Sequence, residues 1–304
     1  MPPSTSASHP RLATWVERCA QPAILAGALL LWWRLLPSEA ATLLVLIAAL
    51  LLVSALEAWL PAKPEWRQSL GARLRLIGAY ALALVMSVLL LGIYEAVLGP
   101  ALSGFRAGPG GALWPGTWPL PLQVALLFFA SDLIYYWIHR AIHRWPLLWR
   151  LTGHGFHHGF HNLHALNVGT NHPFEVVLLI LPLVLLAAAT GAPERAVQAA
   201  GVLLMVNAVL AHANLRMHTP GLSWLITGSE HHRRHHSLVF EESNSNYACN
   251  AIVWDRLFGT YSQGPVAQTG IGPSEPGLWR MYLLPLREPE DADTVSSRRH
   301  APPD

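Results

Sequence analysis

The chain has 304 residues, of which 52 % are apolar and only 12 % charged, about half the roughly 25 % charge of a soluble domain. A net charge of +2, with no basic run and no RNA-binding motif, excludes nucleic acid as a partner. Cys19 and Cys249 lie far apart in unlike surroundings, which excludes a disulfide framework, a Cys-x-x-Cys site and an iron–sulfur ligand set.

Residues 1–20 are polar, rich in Ser and Pro, and carry Arg11 and Arg18. The apolar run 22–36 has the length of a signal-peptide core, and the small residues Ser38 and Ala40 suit a cleavage site. A longer run, 40–60, follows almost at once, so a retained helix in a hairpin is the preferred reading. A membrane helix needs about 20 apolar residues. Runs 40–60, 77–99 and 120–138 meet this, the last with Asp132 inside; 174–190 and 196–211 are shorter and joined by Gly-Ala-Pro-Glu-Arg. Pro182 is expected to kink the first of these two. The pattern predicts an all-α, polytopic membrane helical bundle of about four to six transmembrane helices.

Lys63, Arg67, Arg73 and Arg75 follow the second run, and Arg140, Arg144 and Arg150 follow the fourth. Arg216 follows the sixth, whereas the Gly-, Pro- and Trp-rich loop 100–119 has only Arg106. By the positive-inside rule the charged ends are cytoplasmic. Trp32, Trp33, Trp59, Trp137, Trp145 and Trp149, near run ends, suit an interfacial belt. Three segments are expected: 1–119, N-terminal membrane helices; 120–262, a catalytic unit; and 263–304, a polar tail, of which 287–304 reads as disordered. Residues 237–285 are expected to cap a site from the water side.

That site is written in histidine. Fourteen of the sixteen histidines fall between positions 139 and 236. They open with His139-Arg-Ala-Ile-His143, continue with His154-Gly-Phe-His157-His158 and close with His232-Arg-Arg-His235-His236, all at cytoplasmic helix ends. His139 and His143 share a helical face. Adjacent His157 and His158 point roughly 100° apart on a helix, which favours two neighbouring ions over one; His235 and His236 repeat the geometry. Eight imidazoles exceed the four to six ligands of one ion, so the set suits a dinuclear site. His172 and His212 end on the same face and are candidates to join it. His161, His164, His218 and His231 read as surrounding or surface histidines. Imidazole alone suits iron, zinc, copper or nickel.

The three motifs, with Asp132-Leu-Ile-Tyr-Tyr-Trp-Ile-His139-Arg, His172-Pro-Phe-Glu, His212-Ala-Asn, Asn246-Tyr247 and Trp254-Asp-Arg-Leu-Phe-Gly-Thr-Tyr261, resemble the fatty acid hydroxylase/sterol desaturase superfamily over residues 120–262. Thr170-Asn171 stands where many relatives carry an arginine, and Ala248 where glycine is common. The resemblance implies a membrane-bound, O2-dependent oxidoreductase that hydroxylates or desaturates a lipid. Two irons, replaceable by zinc in a purified form, would be held by His139, His143, His154, His157, His158, His232, His235 and His236, with His172 and His212 completing the set. Carotenoid or ether-lipid oxygenases would share this site. A metal transporter would instead place its ligands near the bilayer midplane.

Asp132, seven residues before His139, reads as an acceptor for a ligand histidine's free N–H or as a helix-capping or helix–helix hydrogen-bonding group. Asp255 is expected to steady the cap through Arg256 or a histidine. Tyr135 and Tyr136 suit a substrate path and core packing equally. The sequence has no His-Pro-Gly-Gly haem signature and no Gly-x-Gly-x-x-Gly fingerprint. Electrons are therefore expected from a separate donor (cytochrome b5, ferredoxin or a reductase) docking near Arg233 and Arg234.

Overall fold

The computed structural model describes residues 10–286; the expected disordered tail, 287–304, lies outside the described residues. The helices that position the site are α1 (Pro10–Arg34), α2 (Glu39–Trp59), α3 (Leu70–Ala101), α4 (Leu120–Arg144), α5 (Pro146–Thr152), α6 (Gly155–His158), α7 (Pro173–Thr190), α8 (Glu194–His212), α9 (Ser229–His235), α10 (Val253–Leu257) and α11 (Leu278–Tyr282). Among the described residues the only β-pairing is an isolated bridge between Ser237 and Thr269.

Local chemistry sets the boundaries. Ser38 caps α2 by accepting from the Ala41 N–H, and Ser69 caps α3 by accepting from the Ala72 N–H. Pro173 opens α7, where its missing N–H costs nothing, and Gly191 closes it at φ 70°. The helix runs through Pro182 without a break. Five helices, α2, α3, α4, α7 and α8, are long and apolar enough to cross a membrane. The first expected run, 22–36, is the apolar second half of α1, whose first half carries Arg11, Glu17 and Arg18.

The fold is a polytopic helical bundle whose main core joins α1, α2, α4 and α8 through residues such as Val16, Trp32, Val53, Leu127, Val206 and Leu210. The α1 residue Gln21, fully buried, donates to Asn207 of α8 at 2.9 Å and to the Thr227 carbonyl at 3.0 Å. By contrast α3, 32 residues long, buries only Leu76, Ala79 and Ala83. Its Leu82, Val85, Val88, Leu89, Ile93 and Val97 point outward. In water that stripe would be a large exposed apolar patch; lipid is the solvent that suits it.

The interfacial tryptophan belt needs correction at two positions. Trp33, Trp59, Trp137 and Trp145 are exposed, but Trp32 and Trp149 are buried. Trp32 donates to Thr42 within the α1–α2 hairpin. Trp149 packs its ring on three histidines, with centroids 5.0–5.3 Å away.

One end of the bundle gathers the chemistry. There the Lys63 N–H donates to Asn214, Gln68 to the Asn162 carbonyl, and the His218 N–H to the Glu17 carbonyl. At the other end, loop 102–119 is wound into short turns, Ser103–Phe105 and Arg106–Gly110, against Ala189 and Gly191. The polar segment after α9 folds back over the histidines. The Leu238 N–H donates to Gln268, the Gly270 N–H to His236, and Thr269 Oγ1 to Phe160.

The turn Ala165–Gly169 is pinned to α3 by contact. A Cβ on Gly169 would lie 1.8 Å from Tyr80 Cδ2, so Gly169→Ala should destabilise the chain by about 1–3 kcal/mol through overpacking. Thermal unfolding in detergent measures this, and Tyr80→Ala in the same chain should recover only part of the loss, because the Tyr80 Cβ stays 2.7 Å from the added one.

Candidate metal centre

Each histidine motif ends or forms a helix at the charged end of the bundle. His139 and His143 lie one turn apart in the last two turns of α4. His154, His157 and His158 follow the α5 turn, which Gly153 closes in the left-handed region. His232 and His235 lie on α9, His236 caps it, and His212 ends α8.

Their ring nitrogens form two groups. His139, His143, His154, His158 and His235 make one; His157, His212, His232 and His236 make the other. Within each group the candidate ligand atoms all lie within 4.8 Å of one another, and every member is buried. The adjacent pairs divide: His157 and His158 go to different groups, as do His235 and His236. The groups abut, because the His158 ring stacks on His236 at 4.2 Å and 15°.

Hydrogen bonds on the far side of the rings decide which nitrogen faces inward. Nδ1 of His139 donates to the Tyr247 carbonyl at 2.7 Å, and Nδ1 of His235 to the Ser245 carbonyl at 2.7 Å. His212 donates to Ala208 at 2.8 Å and His157 to Thr170 at 3.3 Å. His154 Nδ1 meets Glu175 Oε1 at 2.7 Å. A carbonyl can only accept, so the proton sits on Nδ1 and a neutral ring presents the Nε2 lone pair to the centre.

Those lone pairs face one another. Nε2 of His154 is 3.0 Å from Nε2 of His139 and 3.0 Å from Nε2 of His143; His139 and His235 are 3.2 Å apart. In the second group the spacings are His232–His212 3.0 Å, His232–His236 3.1 Å and His157–His212 3.2 Å. Where Nδ1 holds the proton on both partners, such a contact has no hydrogen to share. Two nitrogens about 2.1 Å from one cation at a right angle lie roughly 3.0 Å apart. The donor set therefore fits a metal ion in each group. His158 adds a second sign: both its ring nitrogens are buried without a hydrogen-bond partner. Such atoms cost about 1–3 kcal/mol each unless an ion or other partner satisfies them.

Burial, first, and neighbouring histidines, second, push His157, His158, His232 and His236 well below the ordinary histidine range. Neutral imidazole is the ligand form. Outside the groups, burial lowers His164 and His231 to about 4. Below about pH 6.5 the unfolded chain binds protons that these folded histidines refuse. These histidines should thus add no pH dependence above pH 7 and lower stability from about 6.5 toward 4, by about 1.4 kcal/mol per pH unit each, a trend opposed in part by Asp255, whose carboxyl burial raises to about 6. Unfolding midpoints of the metal-free chain between pH 7.5 and 4.5 check the sign.

The model of the family described as fatty acid hydroxylase matches residues 124–260, which contain all three histidine motifs. Residues 124–260 are a fatty acid hydroxylase domain. The chain is 34 % identical over 164 residues to an ornithine lipid hydroxylase of Rhizobium tropici, covering 52 % of this chain and 48 % of that protein. It is 27 % identical over 147 residues to an alkylglycerol monooxygenase of Xenopus tropicalis, covering 47 % and 31 %. It is 32 % identical over 152 residues to a very-long-chain aldehyde decarbonylase of Oryza sativa subsp. indica, covering 47 % and 56 %. The chain thus spans about a third to just over half of these relatives. No solved structure matches it significantly.

Within the hydroxylase domain the structure brings nine of the ten candidate ligands together and leaves His172 apart. His172 Nδ1 accepts the Phe174 N–H as the N-cap of α7, and Nε2 donates to the Tyr282 carbonyl of α11. Pro173 forces this residue into extended backbone, the conformation that capping needs.

Asp132 is likewise corrected. Its carboxylate accepts from the Asn250 and Ala251 N–H groups, each at 2.9 Å, and from Asn250 Nδ2 at 3.3 Å. It anchors the loop before α10 and makes no hydrogen bond to a histidine; its partners are loop groups, not a helix end or a neighbouring span. Asp255 steadies the cap through the Tyr247 and Ala248 N–H groups and Thr260 rather than through Arg256 or a histidine. Tyr136 donates or accepts at Thr260, and the Tyr135 ring lies 5.4 Å from His139. His161 bonds the Gly272 carbonyl, His218 is exposed, and His164 and His231 are buried helix caps.

Arg233 and Arg234 are not the free docking cations expected of them. Arg233 is buried and donates to the Ala213 and Leu215 carbonyls; Arg234 pairs with Glu242 at 3.2 Å. The acceptor for a ligand histidine is Glu175. Its signal was present as the last residue of His172-Pro-Phe-Glu, a carboxylate opening an apolar helix.

Proposed function

We propose that this chain is a membrane-bound lipid oxidoreductase that hydroxylates or desaturates C–H bonds, with two irons and O2, drawing electrons from a separate redox partner. The observation that carries this reading is the division of His157 from His158 and of His235 from His236 between two abutting groups of inward-facing nitrogens. The family match and the lipid-acting names of the relatives support it. His139, His143, His154, His158 and His235 would hold one iron; His157, His212, His232 and His236 the other. Reduced iron with O2 supplies an oxidant able to attack an unactivated C–H bond.

The protein's own part is to orient and to exclude. Carbonyls of Tyr247, Ser245, Ala208 and Thr170 lock four rings in one tautomer. The Glu175 carboxylate does so for His154 and makes it a stronger donor. Trp149 and Tyr135 wall the first group with apolar ring surface. Lys63, Arg67, Arg73, Arg75, Arg140, Arg144, Arg150 and Arg216 flank the spans at the histidine end, which favours a cytoplasmic metal site and donor.

The test is lipid analysis of cells with and without the chain, beside a chain carrying His157→Ala and His158→Ala. A new oxidised or desaturated lipid that the double variant does not make is expected. Unchanged lipids with O2 and reductant present would overturn the reading.

A further inference from the structure

Beside the histidine groups, at the same end of the bundle, lies a cavity of about 180 Å³ whose wall mixes charged, polar and apolar side chains. Glu57 of α2, Trp66, Arg67, Arg73, His164 and Asn214 form much of its wall. Asn214 lies two residues beyond His212, so the cavity and the second histidine group share one short piece of backbone.

The wall offers both charges. Glu57 Oε1 accepts the Ala165 N–H at 2.9 Å and the Asn214 N–H at 2.6 Å, leaving Oε2 for the cavity. Arg67 and Arg73 are exposed at the mouth, and neither makes an ion pair among the described residues. Arg233 stacks behind the Trp66 ring at 5.6 Å.

His164 is the most informative residue. It is only 6 % exposed, and its Nδ1 accepts the Leu166 N–H at 3.3 Å. The ring proton therefore sits on Nε2, which is buried with no partner. A buried donor beside two unpaired guanidinium groups asks for an oxyanion. A lone oxyanion would meet Glu57 as a like charge, so the occupant needs a cation of its own on that side. A metal ion is disfavoured by the two guanidinium groups, and an acyl chain would leave His164 Nε2 without a partner.

We infer that this cavity holds the headgroup of the substrate lipid. The headgroup is a zwitterion whose oxyanion meets Arg67, Arg73 and His164 and whose ammonium meets Glu57. The inference rests on the lipid-oxidation reading for the fate of the bound lipid, but not for its binding.

Native mass spectrometry of the full chain in detergent tests it with four probes. Dihexanoyl phosphatidylethanolamine and an N-acyl ornithine carry the oxyanion–ammonium pair. Dihexanoyl phosphatidylglycerol carries the oxyanion alone, and inorganic phosphate is the free ion. The first two should bind at least tenfold tighter than phosphatidylglycerol, with phosphate a poor competitor. Arg73→Gln, at an exposed position, should weaken all three lipids about tenfold. Glu57→Gln keeps the oxygen that accepts the two backbone N–H groups and should abolish the preference for the ammonium-bearing probes. Equal binding of phosphatidylglycerol, wild-type selectivity in both variants, or phosphate competing as well as lipid would overturn the inference. Selective binding without any lipid product would leave the cavity standing and count against the oxidation reading. Lipid product with unchanged headgroup selectivity in both variants would do the reverse.

Discussion

Alanine at His212 is expected to cost the chain one of its two ions, whereas alanine at His158 weakens binding and leaves both in place. The second group has four members, and His212 Nε2 lies 3.0 Å from His232 and 3.2 Å from His157. Without it three imidazoles remain, below the four to six ligands an iron typically takes. The first group has five, so losing His158 leaves four. Plasma emission analysis of purified chains should give about two metals per chain for the parent, about one for His212→Ala and nearly two for His158→Ala before dialysis. Dialysis against a chelator should then strip His158→Ala faster than the parent. Lipid product should fall to background in His212→Ala, which lacks one of the two ions, and be reduced but measurable in His158→Ala, which keeps both. Metal binds the folded form, so unfolding temperature should fall with metal content, and chelated parent should unfold below His212→Ala, which keeps one ion. Equal metal content in all three chains would sink the assignment of His212.

The histidine groups were legible because the information that places them is local. Spacing of four puts His139 and His143 on one face of α4, and the 100° step per residue sends His157 and His158 apart. The spans were legible from apolar runs, although α3 extends from Leu70, seven residues earlier than its hydropathy suggests, because Ser69 caps it there. What stayed hidden depends on contacts across long stretches of chain. Asp132 anchors backbone at Asn250 and Ala251, 118 and 119 residues away, and no periodicity reports that. Trp149 resembled an interfacial residue until the fold turned its ring onto His154. Within His172-Pro-Phe-Glu the contact with the histidine site passes from His172, where it was expected, to Glu175, of which nothing was. The proline commits the histidine to capping, and the first helical turn carries the glutamate to His154.

That transfer makes Glu175 the most informative site outside the ligands. The residue is 1 % exposed, sits in the first turn of α7, where the helix N-terminus favours a carboxylate, and holds His154 Nδ1 at 2.7 Å. Glu175→Gln keeps an acceptor oxygen and the ring's tautomer but removes the charge that makes His154 a stronger donor. Metal affinity should fall about 10- to 100-fold, the usual cost of losing such a partner. Glu175→Leu also removes the acceptor, frees the ring to rotate or change tautomer, and should fall further. Chelator competition gives the affinities. The ligand-field absorption of the cobalt-loaded chain gives a readout that simple loss of packing would not move: a shift in Glu175→Gln at full loading, where unfolding temperature stays near the parent's. If Glu175→Leu keeps the parent's affinity and spectrum, the bond to His154 is only a packing contact, and the second carboxylate oxygen, buried without a partner, would need another explanation.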